Sequence, residues 1–550
     1  MTPEAALPDR TCVPRVPERV MRLSQLGAMF PTRLSFLRVL LRDLANGGAR
    51  PDWRVWELDG DGFGHAVCTI DLDGGTWSLI AFADPLADAD RSDRVIAQAW
   101  DACFVLFQGV PTAGEIAAIK PHARTQEAGR YDERVHVLSR ANKSVRLFEH
   151  VVQALAEGRQ PDPKKLSAVG YLMRTTAVYG NGKFGMADRV PGTLSFRLEM
   201  LTVALIREFT LRMADHVAAA RGGNVAVSLD EDSVARLGVG NATGLGMAPF
   251  LVNHPELLHA WMETRERAVA AARGLTALDD EAREEVLALA RRIGAHLDAW
   301  QVDDADENAR IRALCTRWSR LCERLPALLA APMPFDAIVA DAEGEPDCEE
   351  LAIALVLETQ GDTIDPLCRD MQTGPPAPLD ARMSLDRLRT LLDTHYGWAD
   401  VGALPDDAPM AWYVSEDKLE PRFGAVTPAM QAHRRLPIDV ARRIVALRRD
   451  LAKASDPSLP AFLMRLPHHR WAVRRAQAIA IHPYGEVRDD LVAADLRPVD
   501  LLRAKLSLFG AGRFDPRSDR WLRVTLFQGL PRLAHLRQGD DRATFFPALV

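Results

Sequence analysis

The segment from Tyr171 to Met186 carries side chains that can bind an anion and transfer protons. Three glycines interrupt it, and glycine adopts backbone conformations that other residues resist. The polar side chains around these glycines are those of Arg174, Thr175, Tyr179, Asn181 and Lys183. Guanidinium, amide and ammonium groups hold carboxylates and phosphates by charge-assisted hydrogen bonds. The segment therefore predicts an anion-binding turn, with a glycine-capped helix and an exposed turn as the structural alternative.

Tyr179 and Lys183 also form a candidate acid–base pair. A nearby ammonium group lowers the pKa of a phenol, which favours proton transfer to and from a bound substrate. The chain has eight lysines and sixty arginines, so a position that keeps lysine is one where an amine can matter more than charge alone. We expect these two residues to be catalytic.

A second glycine-rich segment, from Gly238 to Pro255, contains further polar residues. Its glycines allow the backbone to approach a ligand closely, and Asn241 and Thr243 stand between them. His254 precedes a helix that we expect to begin near Glu256, and there it could act as a base or contact the ligand. The alternative is a structural turn without a ligand.

A third segment, from Trp412 to Gly424, alternates the charges of Glu416, Lys418, Glu420 and Arg422. Alternate residues of a strand project to the same side of a sheet. On that side Glu416 would be an acid or a base, while Lys418 and Arg422 would bind an anion. The alternative is a solvated edge strand whose charges pair with one another.

The segment from Arg140 to Arg146 is predicted to belong with the first candidate. At helical spacing Asn142, Lys143 and Arg146 share one face. We therefore expect Arg146 to contribute to the same anion site, with a plain charged helix face as the alternative.

No cofactor and no metal site is predicted from the motifs. Tyr179-x-x-x-Lys183 has the spacing of the catalytic pair of short-chain dehydrogenases, but that family places its glycine loop before the pair, and here the order is inverted. Walker-type phosphate loops, Gly-x-Ser-x-Gly elbows and His-Glu-x-x-His zinc helices are absent. Two Glu-x-x-His pairs, at Glu133 and Glu256, lack partner glutamates at matching spacing.

Composition narrows the class of partner. The formal net charge is −7 and both signs of charge are interspersed, which argues against a nucleic acid. No uncharged apolar run approaches the length of a membrane span, and the first residues hold no signal-peptide core. Seven scattered cysteines without a Cys-x-x-Cys pair indicate reduced thiols. We expect a soluble cytoplasmic protein, a small-molecule substrate and a homo-oligomer as one open option.

The hydrophobic pattern predicts a mostly helical α+β protein. Apolar residues at helical spacing, and alternation of β-forming residues near the N-terminus, define the expected elements. The predicted helices are 31–46, 195–221, 281–297, 308–330, 348–358, 384–395 and one beginning at Pro437, and the predicted strands are 54–58, 64–72, 76–83 and 102–108. We expect a small antiparallel sheet in region 1–130, a helical core in 131–332 and a mostly helical region in 333–550 that ends in a short strand.

A short repeat connects distant parts of the chain. Leu106-Phe-Gln-Gly-Val-Pro111 matches Leu526-Phe-Gln-Gly-Leu-Pro531. Each copy follows a run that predicts a strand, so the two strands could lie in one sheet or mark two related half-domains. Coincidence is the alternative.

Together these features predict an enzyme that uses acid–base chemistry, of lyase, isomerase or hydrolase type, on a small carboxylate- or phosphate-bearing metabolite. This requires the three polar segments to converge in space. An oxidoreductase with bound flavin or nicotinamide on a non-Rossmann helical scaffold is one alternative. A non-catalytic ligand-binding or scaffold protein is the other.

Overall fold

A computed structural model describes most of the chain. The described residues are 13–22, 25, 32–88, 100–125, 133–180, 196–241, 255–276, 278–300, 305–371, 379–399, 410–413, 421–424, 438–482, 484–486, 507–508 and 524–539. The helices among them are α1 (Pro17–Val20), α2 (Phe36–Asn46), α3 (Ala113–Thr125), α4 (Phe148–Ala156), α5 (Pro163–Val169), α6 (Phe196–Gly222), α7 (Glu231–Ala235), α8 (Pro255–Arg273), α9 (Asp280–Ala299), α10 (Ala305–Leu329), α11 (Pro334–Ala342), α12 (Pro346–Glu358), α13 (Gly361–Ile364), α14 (Leu385–His395), α15 (Ile438–Ala452), α16 (Leu459–Arg465) and α17 (Arg470–Ala480). None of them is both long and apolar enough to cross a lipid bilayer.

Among the described residues, eight strands form one mixed sheet. Its strands are β1 (Asp52–Leu58), β2 (Gly64–Leu72), β3 (Gly75–Ala83), β4 (Ala102–Gln108), β5 (Val135–Lys143), β6 (Tyr171–Gly180), β7 (Gly238–Asn241) and β10 (Val524–Leu526). Strands β8 (Met410–Tyr413) and β9 (Pro421–Gly424) form a separate pair. Their order is β1-β2-β3-β4-β5-β6-β7-β10. All neighbours are antiparallel except β6 and β7, which are parallel.

The first half of the sheet forms as the sequence predicts. The turn between β2 and β3 places Asp73 and Gly74 at φ +56° and +73°, the left-handed conformations of a tight hairpin turn. Helix α3 covers one face of the sheet over a small apolar cluster that includes Phe82, Val105 and Phe107. Helix α6 packs against the other face, helices α2 and α4 pack against α6, and all three belong to the main hydrophobic core.

The predicted helices of the helical body are confirmed. Helix α9 buries Val286, Leu289 and Ile293 on one face, as their spacing indicates. At the start of α14 the side chain of Ser384 accepts a hydrogen bond from the backbone N–H of Arg387, which is the expected N-cap.

The sheet is larger than predicted and is not confined to the N-terminal region. The helix expected over Arg140–Arg146 is wrong: Asn142 and Lys143 end strand β5, and Arg146 lies exposed in the turn before α4. The segment that begins at Tyr171 is also a strand. Strands in the middle of a sheet are buried on both faces, so they lack the apolar–polar alternation that identifies a strand in a sequence.

The two copies of the Leu-Phe-Gln-Gly repeat lie at strand ends in the same sheet. The first copy overlaps the end of β4, and the second begins at Leu526, the last residue of β10. Leu526 pairs with Val239 of β7 in an antiparallel register. The expectation that the late strand joins the sheet is confirmed, whereas the division into three regions stays a prediction.

Candidate functional site

Two of the three predicted segments meet at the only parallel pair of strands in the described sheet. Strands β6 and β7 pair in the register Tyr171–Gly238, Arg174–Gly240 and Thr175–Asn241. The hydroxyl of Thr175 donates to the carbonyl oxygen of Gly240 at 3.5 Å. Because the strands are parallel, their carboxyl ends point to the same edge of the sheet, and β6 continues to Gly180, five residues beyond the residue that pairs with Asn241.

The glycines of β7 have a packing explanation. A Cβ at Gly238 would lie 2.3 Å from the carbonyl oxygen of Leu526, and a Cβ at Gly240 would lie 2.7 Å from the ring of Tyr171. Both distances are far below van der Waals contact. These two glycines therefore allow β10 and an aromatic ring to approach the strand, which does not require a ligand.

Strand β5 brings a further predicted residue next to Arg174. Asn142 and Arg174 are directly opposite each other in the register of β5 and β6, so both occupy the same face of the sheet. The amide oxygen of Asn142 accepts from the backbone N–H of Asp101 at 3.1 Å. The backbone N–H of Lys143 donates to the carboxylate of Asp101 at 2.9 Å. The grouping of Asn142 with Arg174 is thus observed, although on strands and not on a helix.

The amine of Lys143 is enclosed by aromatic rings. Its Nζ lies 4.7 Å from the ring centroid of Phe148 and 5.1 Å from that of Phe63. The side chain is buried. A desolvated ammonium group over aromatic faces gains cation–π attraction, which favours a packing role for Lys143.

Along the sheet edge at which β6 and β7 end, a cavity of about 530 Å³ opens beside the turn between β2 and β3. The registers make β2, β4, β6 and β7 run in one direction, so the turn after β2 lies at this edge as well. The residues that line the cavity are Asp43, Gly47, Ala49, Asp71, Leu72, Asp73, Gly74 and Arg197. The cavity and the ends of β6 and β7 thus share one edge of the sheet, with β3, β4 and β5 lying between β2 and β6.

Arg197 connects helix α6 to this cavity. Its guanidinium donates to the carboxylates of Asp43 and, at 2.9 Å, Asp73. Sequence reasoning missed these three residues, because Arg197 is 154 and 124 residues away from its two partners and no local motif marks it.

Of the third predicted segment, the structure describes parts of two strands, β8 (Met410–Tyr413) and β9 (Pro421–Gly424). They form a two-stranded antiparallel sheet in which Arg422 pairs with Trp412. Its convergence with the other two segments stays a prediction.

The remaining predicted residues divide into two groups. Tyr179, Asn241 and Arg422 lie in strands β6, β7 and β9. Those outside the described residues are Asn181, Lys183, Thr243, His254, Glu416 and Lys418. Their proposed roles stay predictions.

A buried ionic cluster occupies the helical body, away from the predicted segments. Arg15 contacts the carboxylates of Glu266, Glu349 and Glu350, all almost completely buried. Burial by itself would raise the pKa of Glu266, but the hydrogen bonds and charge of Arg15 outweigh it and hold the pKa below its usual value. Arg265 adds a second cation beside Glu350. The cluster joins α8, α12 and the segment before α1.

The described cysteines are free thiols. Burial raises the pKa of Cys103 to about 11 and that of Cys368 to about 12. These thiols are protonated at neutral pH and are poor nucleophiles.

Comparison of the chain with known protein families, with curated proteins and with solved structures finds no match. The arguments about function therefore depend on the chain's own residues.

Proposed function

We propose that the protein binds a small carboxylate- or phosphate-bearing metabolite at the sheet edge where β6 and β7 end. The observation that supports this is the parallel pairing of Arg174 with Gly240 and of Thr175 with Asn241. In open sheets with parallel strands, ligands bind outside the carboxyl ends of the strands. The two segments chosen from the sequence for their polar and glycine content begin with these two strands and continue beyond their carboxyl ends.

The proposal gives four of the predicted residues a role at this edge. Asn181 and Lys183 follow β6, and Thr243 follows β7, so these side chains would hold the anion by hydrogen bonds and charge. Tyr179 and Lys183 would then exchange a proton with the bound molecule, which is acid–base chemistry without a tightly bound cofactor.

The binding experiment begins with a thermal-shift screen of the full chain against small carboxylates and phosphates. A ligand that stabilises the folded state raises the unfolding temperature. For the best ligand we expect the Lys183→Met variant to bind at least about tenfold more weakly, because one charge-assisted hydrogen bond is lost. Lys164→Met is the matched control, since Lys164 is exposed on α5. If no anion stabilises the protein, or if both variants bind like the wild type, the proposed site is wrong.

Catalysis is tested separately from binding. Turnover of the identified ligand is followed by NMR with the wild type and with Tyr179→Phe, which removes the phenolic proton and keeps the ring. We expect turnover in the wild type and a loss of at least about a hundredfold in the variant. Binding without turnover would instead indicate a ligand-binding protein.

A further inference from the structure

Three potential metal ligands meet in the part of the chain after strand β9. Asp450 lies near the end of α15, while His468 and His469 form the short 3₁₀ turn between α16 and α17. One donor atom from each of the three lies within 4.8 Å of the other two. The residues are 18 and 19 positions apart in the sequence, without a familiar metal motif, so only the fold brings them together.

His469 is held in a fixed orientation. Its Nε2 lies 2.8 Å from the carboxylate of Asp450, and its ring stacks on Phe462 at a centroid distance of 5.7 Å and an interplanar angle of 8°. The side chain is buried. A ligand whose rotamer is set by packing loses little conformational freedom when it binds a metal.

His468 supplies the accessible side of the cluster. It is exposed, and its ring centroid is 4.0 Å from that of His469. Donor atoms of a tetrahedral site with bonds of about 2.0–2.1 Å are roughly 3.4 Å apart. The exposed ring of His468 can rotate to reach that spacing without disturbing the core.

The cation beside Asp450 leaves one carboxylate oxygen for the cluster. Arg449 contacts Oδ1 at 3.3 Å, whereas Oδ2 faces His469. The side chain of Arg449 is 65% exposed, so it can move into solvent when a second cation arrives.

We propose that Asp450, His468 and His469 bind one divalent transition-metal ion of the Zn²⁺ or Co²⁺ type. Two imidazoles and a carboxylate suit these borderline metals, whereas Mg²⁺ and Ca²⁺ prefer oxygen ligands throughout. Three protein ligands leave a coordination position for water, which is the arrangement of an open metal site. The proposal is independent of the anion site at the sheet edge.

The test titrates Zn²⁺ into the full chain, freed of any affinity tag and treated with a chelator, by isothermal calorimetry. We expect one equivalent to bind to the wild type. His468→Ala and Asp450→Asn should each bind at least about tenfold more weakly, because each removes a ligand. His535→Ala is the matched control, because His535 is an exposed histidine in a short 3₁₀ turn elsewhere in the chain.

Two further measurements separate the site from alternatives. His468 is exposed, so His468→Ala should keep the unfolding temperature of the wild type without metal, which shows that lost binding is not lost folding. The absorption spectrum of the Co²⁺ complex should lack thiolate charge-transfer bands, which excludes binding by cysteines. If the wild type binds no stoichiometric Zn²⁺, or if His468→Ala binds it equally well, the proposal is overturned.

Discussion

Arg15 donates two hydrogen bonds, at 3.0 and 2.7 Å, to the carboxylate of Glu266, which lies 251 residues further along the chain. Both side chains are buried, Glu266 completely. The pair attaches the segment before α1 to helix α8 in the helical body. A buried carboxylate without its counter-ion is strongly unfavourable, so the stability of this connection depends on both partners.

We predict that Arg15→Ala lowers the free energy of unfolding by about 3–5 kcal/mol, because it leaves three buried carboxylates without their shared cation. Urea denaturation at neutral pH measures the change. The control is Arg22→Ala, since Arg22 is exposed and donates to the backbone oxygen of Glu18. This second change should cost less than about 0.5 kcal/mol. Equal effects of the two substitutions would contradict a special role for Arg15.

The effect of Arg15→Ala should depend on pH. In the wild type the pKa of Glu266 is held below its usual value of 4.5. The ionised Glu266 therefore stabilises the folded state at pH values above the usual pKa, and this stabilisation is lost as the pH falls through the lowered pKa. Without Arg15, the pKa of Glu266 should rise, since burial raises it and Arg265 remains as the opposing cation, and acidification would then relieve the penalty of the buried charge. The difference in unfolding free energy between the wild type and the Arg15→Ala variant should therefore shrink as the pH falls from about 7 to about 4. In a Glu266→Gln background, which has no titrating group at this position, the pH dependence of the Arg15 effect should be smaller.

Gly240→Ala should destabilise the sheet. The new Cβ would lie 2.7 Å from the ring of Tyr171, which is fully buried and has no room to move. We expect a loss of about 1–3 kcal/mol in unfolding free energy. Gly114→Ala is the matched control: a Cβ there meets nothing within 4 Å, and alanine favours the helix by up to about 1 kcal/mol. Opposite signs for the two substitutions are expected in urea denaturation.

His259 should make the protein less stable in mild acid. Burial, together with the nearby His482, lowers its pKa to about 3, so the ring stays neutral in the folded protein. The unfolded chain takes up a proton near pH 6.5, and stability is therefore lost as the pH falls below that value towards 3. Between about pH 7.5 and about pH 5.5 this group should lower the free energy of unfolding by about 1 kcal/mol.

His259→Gln removes that contribution. The variant should lose less unfolding free energy than the wild type over the same pH interval, whatever the substitution costs at neutral pH. The exposed His535, replaced in the same way, serves as the control for the loss of an imidazole outside the core. A variant with the pH dependence of the wild type would show that His259 titrates normally.

The sequence predicted those features that depend on neighbours along the chain. The turn at Asp73 and Gly74, the cap at Ser384 and the apolar face of α9 each need only a few adjacent residues, and all three are observed. Strands β5 and β6 were missed as strands, since polar residues such as Asn142 and Arg174 are buried inside the sheet by partners that the local pattern does not reveal.

The candidate sites also contain some residues that the sequence identifies and others that only the fold brings together. Arg174 and Thr175 were chosen for their residue types, and the pairing of β6 with β7 places Gly240 and Asn241 beside them. The contacts of Arg197, in contrast, depend on the packing of α6 against the turn after β2, and no spacing rule relates residues so far apart.

Strand β10 gives the sheet an order of assembly during synthesis. It covers the outer edge of β7, yet the ribosome makes the whole helical body between these two strands. Throughout that interval the nascent chain carries an uncovered β7, whose backbone groups can pair with another strand. Pairing with β10 ends this exposure, since β10 covers the edge of β7 over Val239, Gly240 and Asn241.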